Sequence, residues 1–455
     1  MARRAKIRIG VVVVLVLGFV AFRLWTSVSI SRMESRIRDQ GYPVTLQELD
    51  AFYPTPDPSE NRAPLLQYAF ASIVEPGLQL EKKLPIAGKV NLPRRSERIP
   101  EEQVRAMRSY CLQNLDAITA VFESFEYKEC RFPIDLALGA DTWLDHIGPM
   151  HSLARMLAIR GILTTLNGDT QLAANQITGV FKLADSIEKE PAYVSQMART
   201  YMHDHGLNAL EQAINRASFS GSQLARIQEQ LIEAEESRGF LKGLFGMRCV
   251  LTDADYMLNT GISNGFLHEL DPGLLWLDLV YSPSGWLDLN RKRTHETMEQ
   301  IIAASELPVE EQLDASQTII GRFESDTVLN SGSGITMTEV AQSLAEVVRI
   351  RARLRVAIVA LAVARYEADK GVYPDRTDAL VPDYLENLPI DPCGGGPMRY
   401  RQLDGGYVVY SVGRNGVDDG GEELEHFPDW ERGDLTFTVE RTNYIHHGDT
   451  ESTEN

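Results

Sequence analysis

The chain has 455 residues, 44% of them hydrophobic, which is enough for two or three folded units with real cores. A formal net charge of −19, with no basic face of any size, excludes a nucleic-acid-binding protein, because phosphate backbones are held by Lys and Arg. The four cysteines (111, 130, 249 and 393) contain no C-x-x-C spacing, so no zinc or dithiol redox motif is present.

Arg3, Arg4, Lys6 and Arg8 precede Ile9 to Phe22, an unbroken apolar run of fourteen residues. A membrane-spanning helix needs about 20. Arg23 can snorkel to the interface, so that Leu24, Trp25, Val28 and Ile30 extend the span, with Trp25 at headgroup level. Residues 1–30 are therefore expected to be a basic leader and an uncleaved transmembrane anchor, with the lipid bilayer as its partner. A cleavable signal peptide is the rival, but no A-x-A-like site follows the run. The large body lies C-terminal to the anchor, so export of residues 30–455 is the economical orientation, although Arg32, Arg36 and Arg38 follow the span. The expectation is a single-pass protein of a bacterial cell envelope with its body outside the cytoplasm. In such a compartment Cys111 and Cys130 could pair, unless a helix between them holds them apart.

Residues 31–99 form an entry region. Thr45-x-x-Glu48 is a capping-box pattern before a short helix that Pro54, Pro56 and Pro58 end. A second helix begins near Pro64, and residues 76–99 carry loop signals with Arg94, Arg95 and Arg98 as a solvated basic cluster. From 100 to 329 the pattern is helical and repeat-like, vaguely tetratricopeptide-like, though no 34-residue period can be laid over it. Pro100-Glu101-Glu102 opens a helix whose apolar positions run Val104, Met107, Cys111, Leu115, Ile118 and Phe122. Helices are predicted over 141–167 and 169–188, hinged at Asn167-Gly168-Asp169, then from Pro191 to about Arg216 and from Ser220 or Ser222 to Glu236. Residues 261–290 interrupt this with an apolar, loop-rich patch around Trp276, Tyr281 and Trp286; helices resume at 290–305 and 309–325.

Asn330 to Gly334 reads as a linker, with the boundary taken at 330–335. Thr336-x-x-Glu339 then opens a helix to Lys370, about 50 Å long at 1.5 Å per residue, closed at Gly371. Leu344, Val347, Val348, Leu354, Ile358, Leu361 and Val363 give it a broad apolar face. Beyond it come Tyr373-Pro374, a short helix ending in Tyr384-Leu385, and a turn at Leu388-Pro389-x-Asp391-Pro392-x-Gly394. Two β-runs joined by Asp404-Gly405-Gly406 follow, the second being Tyr407 to Val412.

This succession resembles the soluble domain of the major pseudopilin of type II secretion systems over residues 355–421. Tyr366, Gly371, Tyr373 and Pro374 match the segment after that family's helix, and Leu380, Tyr384, Leu385, Leu388, Pro389, Asp391, Pro392 and Gly394 its next helix and turn. Tyr400, Tyr407, Tyr410, Ser411, Gly413, Gly416 and Gly420 match its strands and loop. The resemblance implies a pseudopilin-like α+β domain over 336–440, a long helix plus a small antiparallel sheet, with a polar tail over 441–455. It also implies calcium on the loop after the strands, held here by Asn415, Asp418, Asp419, Asp429 and Asp434. Asn415 stands where an aspartate is common, and Cys393 replaces the usual aromatic after Asp-Pro. The family's leader is absent, since Leu15 and Arg23 stand where a cut after Gly10 or Gly18 would need glutamate. Filament assembly is not expected of this chain.

The densest group of other potential ligands is Asp141, Asp145, His146 and His151, then His203, Asp204 and His205. His203 and His205 point to different faces of a helix, and His146 and His151 are imperfectly spaced for one face. No H-E-x-x-H, G-x-S-x-G, Walker or G-x-G-x-x-G motif is present. The reading is a mainly α, membrane-anchored, extracytoplasmic interaction or scaffold protein without catalysis. Its alternatives are an accessory component of a secretion or pilus-like machine, and a metal-dependent hydrolase using His146, His151, His203 and Asp204.

Overall fold

The computed structural model describes residues 2–253, 286–325, 334–422 and 430–440. The apolar patch over 261–285, most of the 330–335 linker, Asp429 and the 441–455 tail lie outside the described residues. The chain is mainly helical, with a small antiparallel sheet near the C-terminus.

Helix α1 (Ala2–Asp39) has two chemically distinct halves. Between Ile7 and Asp39 it holds a window of mean hydropathy 2.4 with none of it buried, long and apolar enough to cross a membrane. From Thr26 onward a stripe of Thr26, Ile30, Met33 and Ile37 is buried, at helical spacing. That stripe faces α12 (Trp286–Glu306). Arg23 pairs with Asp288 at 2.8 Å, Arg291 with Glu34 at 2.8 Å, and the Lys292 ammonium lies 5.1 Å over the Trp25 ring.

The entry region holds α2 (Leu46–Phe52), whose Thr45–Glu48 capping box forms as expected, and α3 (Ala63–Ala71), with Pro64 in its first turn. Residues 76–99 are mostly loop around the short α4 (Leu78–Glu81). Arg95 departs from the expected solvated cluster: its side chain is only 13% exposed and reaches Glu211 at 3.7 Å and Glu440 at 3.6 Å.

The body then stacks α5 (Glu101–Gln113), α6 (Leu115–Ser124), α7 (Ile147–Leu166), α8 (Thr170–Asp185), α9 (Tyr193–Ile214), α10 (Gly221–Glu236) and α11 (Gly239–Thr252). The expected single helix from Val104 to Phe122 breaks at Asn114. There the side-chain Oδ1 accepts a hydrogen bond from Val74 N at 2.7 Å and Nδ2 donates to Val74 O at 3.0 Å, tying the break to a distant loop. Helix α7 starts six residues later than the expected 141, because Leu136–Asp141 form a 3-10 segment. Asp169 caps α8 through Leu172 N at 2.9 Å, and Gly168 takes φ +80° in the turn before it. Ser220 and Gln223 build a capping box on α10. Helices α7, α8 and α9 all pack on one another, and with turns this short the neighbours run antiparallel.

After α12 and α13 (Val309–Ser325), helix α14 (Gly334–Lys370) crosses the whole structure. It begins before the expected Thr336 cap and ends at Gly371, φ +72°. Residues 356–364 are each 4% exposed or less, so it is buried all round where one broad apolar face was expected. On one side lie α9 and α10; on the other lies the sheet. The sheet is β1 (Arg399–Leu403), β2 (Gly406–Ser411) and β3 (Leu435–Glu440), in that order and antiparallel. Tyr407 of β2 donates its hydroxyl proton to Ala360 O of α14 at 2.8 Å. The expected short helix before Leu385 is reduced to a 3-10 turn at Thr377–Leu380. Buried residues of α3, α5 to α10, mid-α14 and the sheet form one continuous cluster, so body and C-terminal unit share a core.

Candidate functional site

The loop leaving β2 was expected to hold a cation, and its backbone is built by glycines that take left-handed φ. Gly413 (φ +67°) also sits where a Cβ would lie 2.1 Å from Gly433 O, so no other residue fits that crossing. Asn415 closes the next turn: its Oδ1 accepts from Val417 N at 3.0 Å and its Nδ2 donates to Arg432 O at 2.8 Å. The Asp418 carboxylate accepts from Gly420 N at 3.0 Å, from Tyr410 OH at 3.1 Å and from Arg399 Nε at 2.9 Å. The Gly420 N–H first, then the Tyr410 hydroxyl and Arg399, hold its pKa below the usual range against the opposing effect of burial.

Asp434 differs. It is 6% exposed; Oδ2 accepts from Gly421 N at 2.7 Å, and Oδ1 has no partner among the described residues. Burial first, and then the charges of Asp419 and Asp418, push its carboxyl above the usual range, while the Gly421 and Asp419 N–H groups oppose this. An orphaned, charge-crowded oxygen is what a hard cation satisfies. Of the five expected ligands, Asp434 carries the unpartnered oxygen, with the Asp419 charge acting on it. Asp418 is engaged by Arg399, Asn415 is folded into its own turn, and Asp429 lies outside the described residues. No group of three His, Cys, Asp or Glu among the described residues is arranged to hold a metal ion.

Asp391, in the Leu-Pro-x-Asp-Pro turn, has a part that sequence reading did not assign. Fully buried, it accepts from Ser411 Oγ at 2.6 Å, Cys393 N at 2.9 Å, Val412 N at 3.0 Å and Arg399 Nη1 at 3.0 Å. It knits the turn to the end of β2, and Arg399 bridges it to Asp418.

The central histidines do not converge. His146 is 5% exposed and stacks on Phe132, centroids 4.3 Å apart, with Nε2 3.1 Å from Glu190 Oε1. Glu190 is wholly buried and also accepts from the Ser195 hydroxyl and from Tyr53 OH at 3.4 Å. This knot joins α2, α7, α9 and the loop before α9; nothing in the spacing of Tyr53, His146, Glu190 and Ser195 announces it. His203 stacks on Phe181 at 5.6 Å inside the core, where burial and then Arg199 push it down to about 3. His205 is pushed down to about 4 by burial, His151 and Arg155, its ring 6.4 Å from that of His151. Asp204 is forked by Arg349 and Arg353 of α14, a helix-to-helix clamp. Asp141 and Asp145 stand apart from these partners, at the end of the 3-10 segment and before α7.

All four cysteines are free, so the Cys111–Cys130 pairing is not present; α6 lies between them, and burial pushes both thiols up to about 12. No protein-family model matches the chain, no curated protein matches it, and no solved structure matches it.

Proposed function

We propose that the chain is a non-catalytic interaction or scaffold protein of a bacterial cell envelope, anchored by α1, with its body outside the cytoplasm. The observation that carries this is the division of α1. Ile9, Val14, Leu15 and Leu17 are each more than 60% exposed, while the Thr26–Ile37 stripe is docked on the body. An uninterrupted apolar helix facing nothing in the protein suits lipid. Of the side chains that would do metal hydrolysis, His146 and His203 stack on Phe132 and Phe181 and Asp204 is clamped by arginine. The experiment is a pair of C-terminal reporters on the full chain in bacteria. Alkaline phosphatase should be active and green fluorescent protein dark, with the protein in the membrane fraction; the opposite pattern overturns the export reading.

The C-terminal unit is read as pseudopilin-like, because a long helix feeds an antiparallel sheet knotted at Asp391. On this reading calcium binds at Asp419 and Asp434 with loop carbonyls, replacing the missing partner of Asp434 Oδ1. Calcium should raise the melting temperature of the full chain and chelator should lower it; Asp434→Asn should abolish the response. The same plan supports a second reading, an accessory part of a secretion or pilus-like machine. Co-purification with secretion components would favour it.

A further inference from the structure

The border between the exposed and docked halves of α1 carries charge of the opposite sign to the rest of the chain. Residues 23–39 of α1 and 288–296 of α12 lie side by side, and there seven basic residues stand against four acidic ones; the whole chain has 45 against 64. Three of the four acids are already engaged: Asp288 by Arg23 at 2.8 Å, Glu34 by Arg291 at 2.8 Å, and Glu296 by Lys292. Arg38 lies 3.8 Å from Glu34 and turns to Glu48 at 2.8 Å. The fourth acid, Asp39, ends α1, farthest from its apolar half. Arg32, Arg36 and Arg293 are left with no ion pair and no hydrogen-bond acceptor among the described residues. Arg32 and Arg36 are exposed and Arg293 is half-buried.

Their level along α1 decides what these three cations meet. Trp25 is 55% exposed and, with α1 as an anchor, lies among the lipid headgroups. Lys292 packs over its ring, so the turn of α12 that carries Arg293 stands at the same level. Arg32 and Arg36 follow Trp25 by about 10 and 16 Å along the axis, at 1.5 Å per residue. Side chains on a helix lean toward its N-terminus, which here is toward the bilayer, and the long arginine stem carries the guanidinium further that way. The headgroup layer is about 5–7 Å deep on each side, and the Debye length at physiological salt is about 8 Å. Arg32 therefore reaches the headgroups, and Arg36 stays within their field.

We propose that Arg32, Arg36 and Arg293 form a collar that binds anionic phospholipid headgroups, of the phosphatidylglycerol kind, in the leaflet from which the body emerges. The collar rests on the reading of α1 as an anchor and holds for either orientation of the body. A guanidinium takes two phosphodiester oxygens in a fork of N–H bonds. A zwitterionic headgroup offers the same phosphate, but its own ammonium travels with it and meets the arginines as a like charge. The three guanidinium groups are strung beside a membrane helix and enclose no cavity, which suits a charged lipid surface better than a soluble anion. Three such contacts select lipid around a helix already in the bilayer; they do not by themselves hold a chain to it.

The test is electron spin resonance of the full chain in phosphatidylcholine vesicles with a trace of spin-labelled phosphatidylglycerol or spin-labelled phosphatidylcholine. The immobilised fraction of each label gives its relative affinity for the protein. Wild type should prefer phosphatidylglycerol by at least about threefold in about 50 mM salt, falling toward equality in about 0.5 M salt as the charges are screened. Arg3, Arg4, Lys6 and Arg8 act on the opposite leaflet, so the decisive quantity is the change made by Arg32→Gln, Arg36→Gln and Arg293→Gln together. The triple variant should lose at least about half of the preference. It should melt within a few degrees of wild type, since none of the three has a partner among the described residues. Arg105→Gln with Arg108→Gln, two exposed arginines of α5, should leave the preference unchanged. A triple variant with the wild-type preference, or a loss equalled by the α5 pair, overturns the collar and leaves the anchor standing. A wild-type chain that does not float with the vesicles overturns the anchor reading, and the collar with it.

Discussion

A carboxylate that water cannot reach must find its donors inside the protein, and Asp391 finds four in a turn that the chain could otherwise open. Asp391→Asn removes the charge from three N–H···O and one O–H···O bonds and sets an NH2 group against donors. It should destabilise the C-terminal unit by about 3 kcal/mol, read by urea unfolding; a change below about 1 kcal/mol would deny Asp391 the role of node. The Arg399 share is small, because that side chain is 30% exposed and partly screened. His203 contributes only while its ring is neutral. Its folded pKa of about 3 lies below the unfolded value of about 6.5, so the unfolded chain binds the proton first. Its contribution is complete above pH 6.5 and is lost as pH falls from there toward 3. Between pH 8 and pH 5 this one residue should cost about 2 kcal/mol, and His205, pushed down to about 4, acts in the same direction. Chemical denaturation across that range should show His203→Leu with a shallower slope than wild type; an unchanged slope would mean the ring is already reached by water.

At the scale of elements, glycines inside helices show which contacts are backbone-close. In α11 a Cβ on Gly246 would lie 1.8 Å from Pro191 O, whereas on Gly321 of α13 nothing lies within 4 Å. Gly321→Ala should therefore stabilise by up to about 1 kcal/mol through helix propensity. Gly246→Ala should lose about 2 kcal/mol or more despite the same propensity gain, because a carbonyl cannot retreat without moving the loop that carries Glu190. Thermal melts of the two variants should shift in opposite directions. Local chemistry explains which elements sequence alone reveals. The caps at Thr45, Asp169 and Ser220, the Gly168 turn and the Gly371 stop all act within four residues of themselves; the Thr45 cap, the Gly168 hinge and the Gly371 stop stand where expected, Ser220 is one of the two serines expected to cap α10, and Asp169 turns from hinge residue to cap. The break at Asn114 rests on Val74, forty residues away, and the Glu190 knot on Tyr53, 137 residues away, so neither leaves a local trace. Strand β3 escaped for a different reason: Leu435, Phe437 and Val439 do alternate, but their partner strand β2 lies across a long acidic, glycine-rich loop that gives no hairpin signal. In the loop, the acidic and amide residue types at Asn415, Asp418, Asp419 and Asp434 are plain in the sequence. That Asn415 and Asp418 would be spent on Arg432 and Arg399 depends on tertiary pairing.

For the whole molecule the question is where the exposed apolar half of α1 ends and the docked half begins. Sequence placed that border at residue 30, but the helix is continuous to Asp39 and its docking stripe starts at Thr26. Ile30, Met33 and Ile37 are 7%, 9% and 2% exposed, and burying each such side chain stabilises by roughly 1.5–3 kcal/mol. The Arg23–Asp288 pair is about one third exposed on both sides and adds little. A chain beginning at Arg23 should therefore leave the membrane fraction, stay in the aqueous phase of a detergent partition, and melt close to the full-length protein. A chain beginning at Gln40 removes the whole stripe and leaves His295, which is 0% exposed, and the Glu34-binding face of α12 open to water. It should lose several kcal/mol and melt at lower temperature, since α12 also supplies Met298, Ile301 and Ile302 to the core it shares with α11 and α14. If the two truncations melt alike, the second half of α1 is merely an extension of the anchor. If the Arg23 chain still sediments with membranes, a surface other than the first half of α1 holds the protein to lipid.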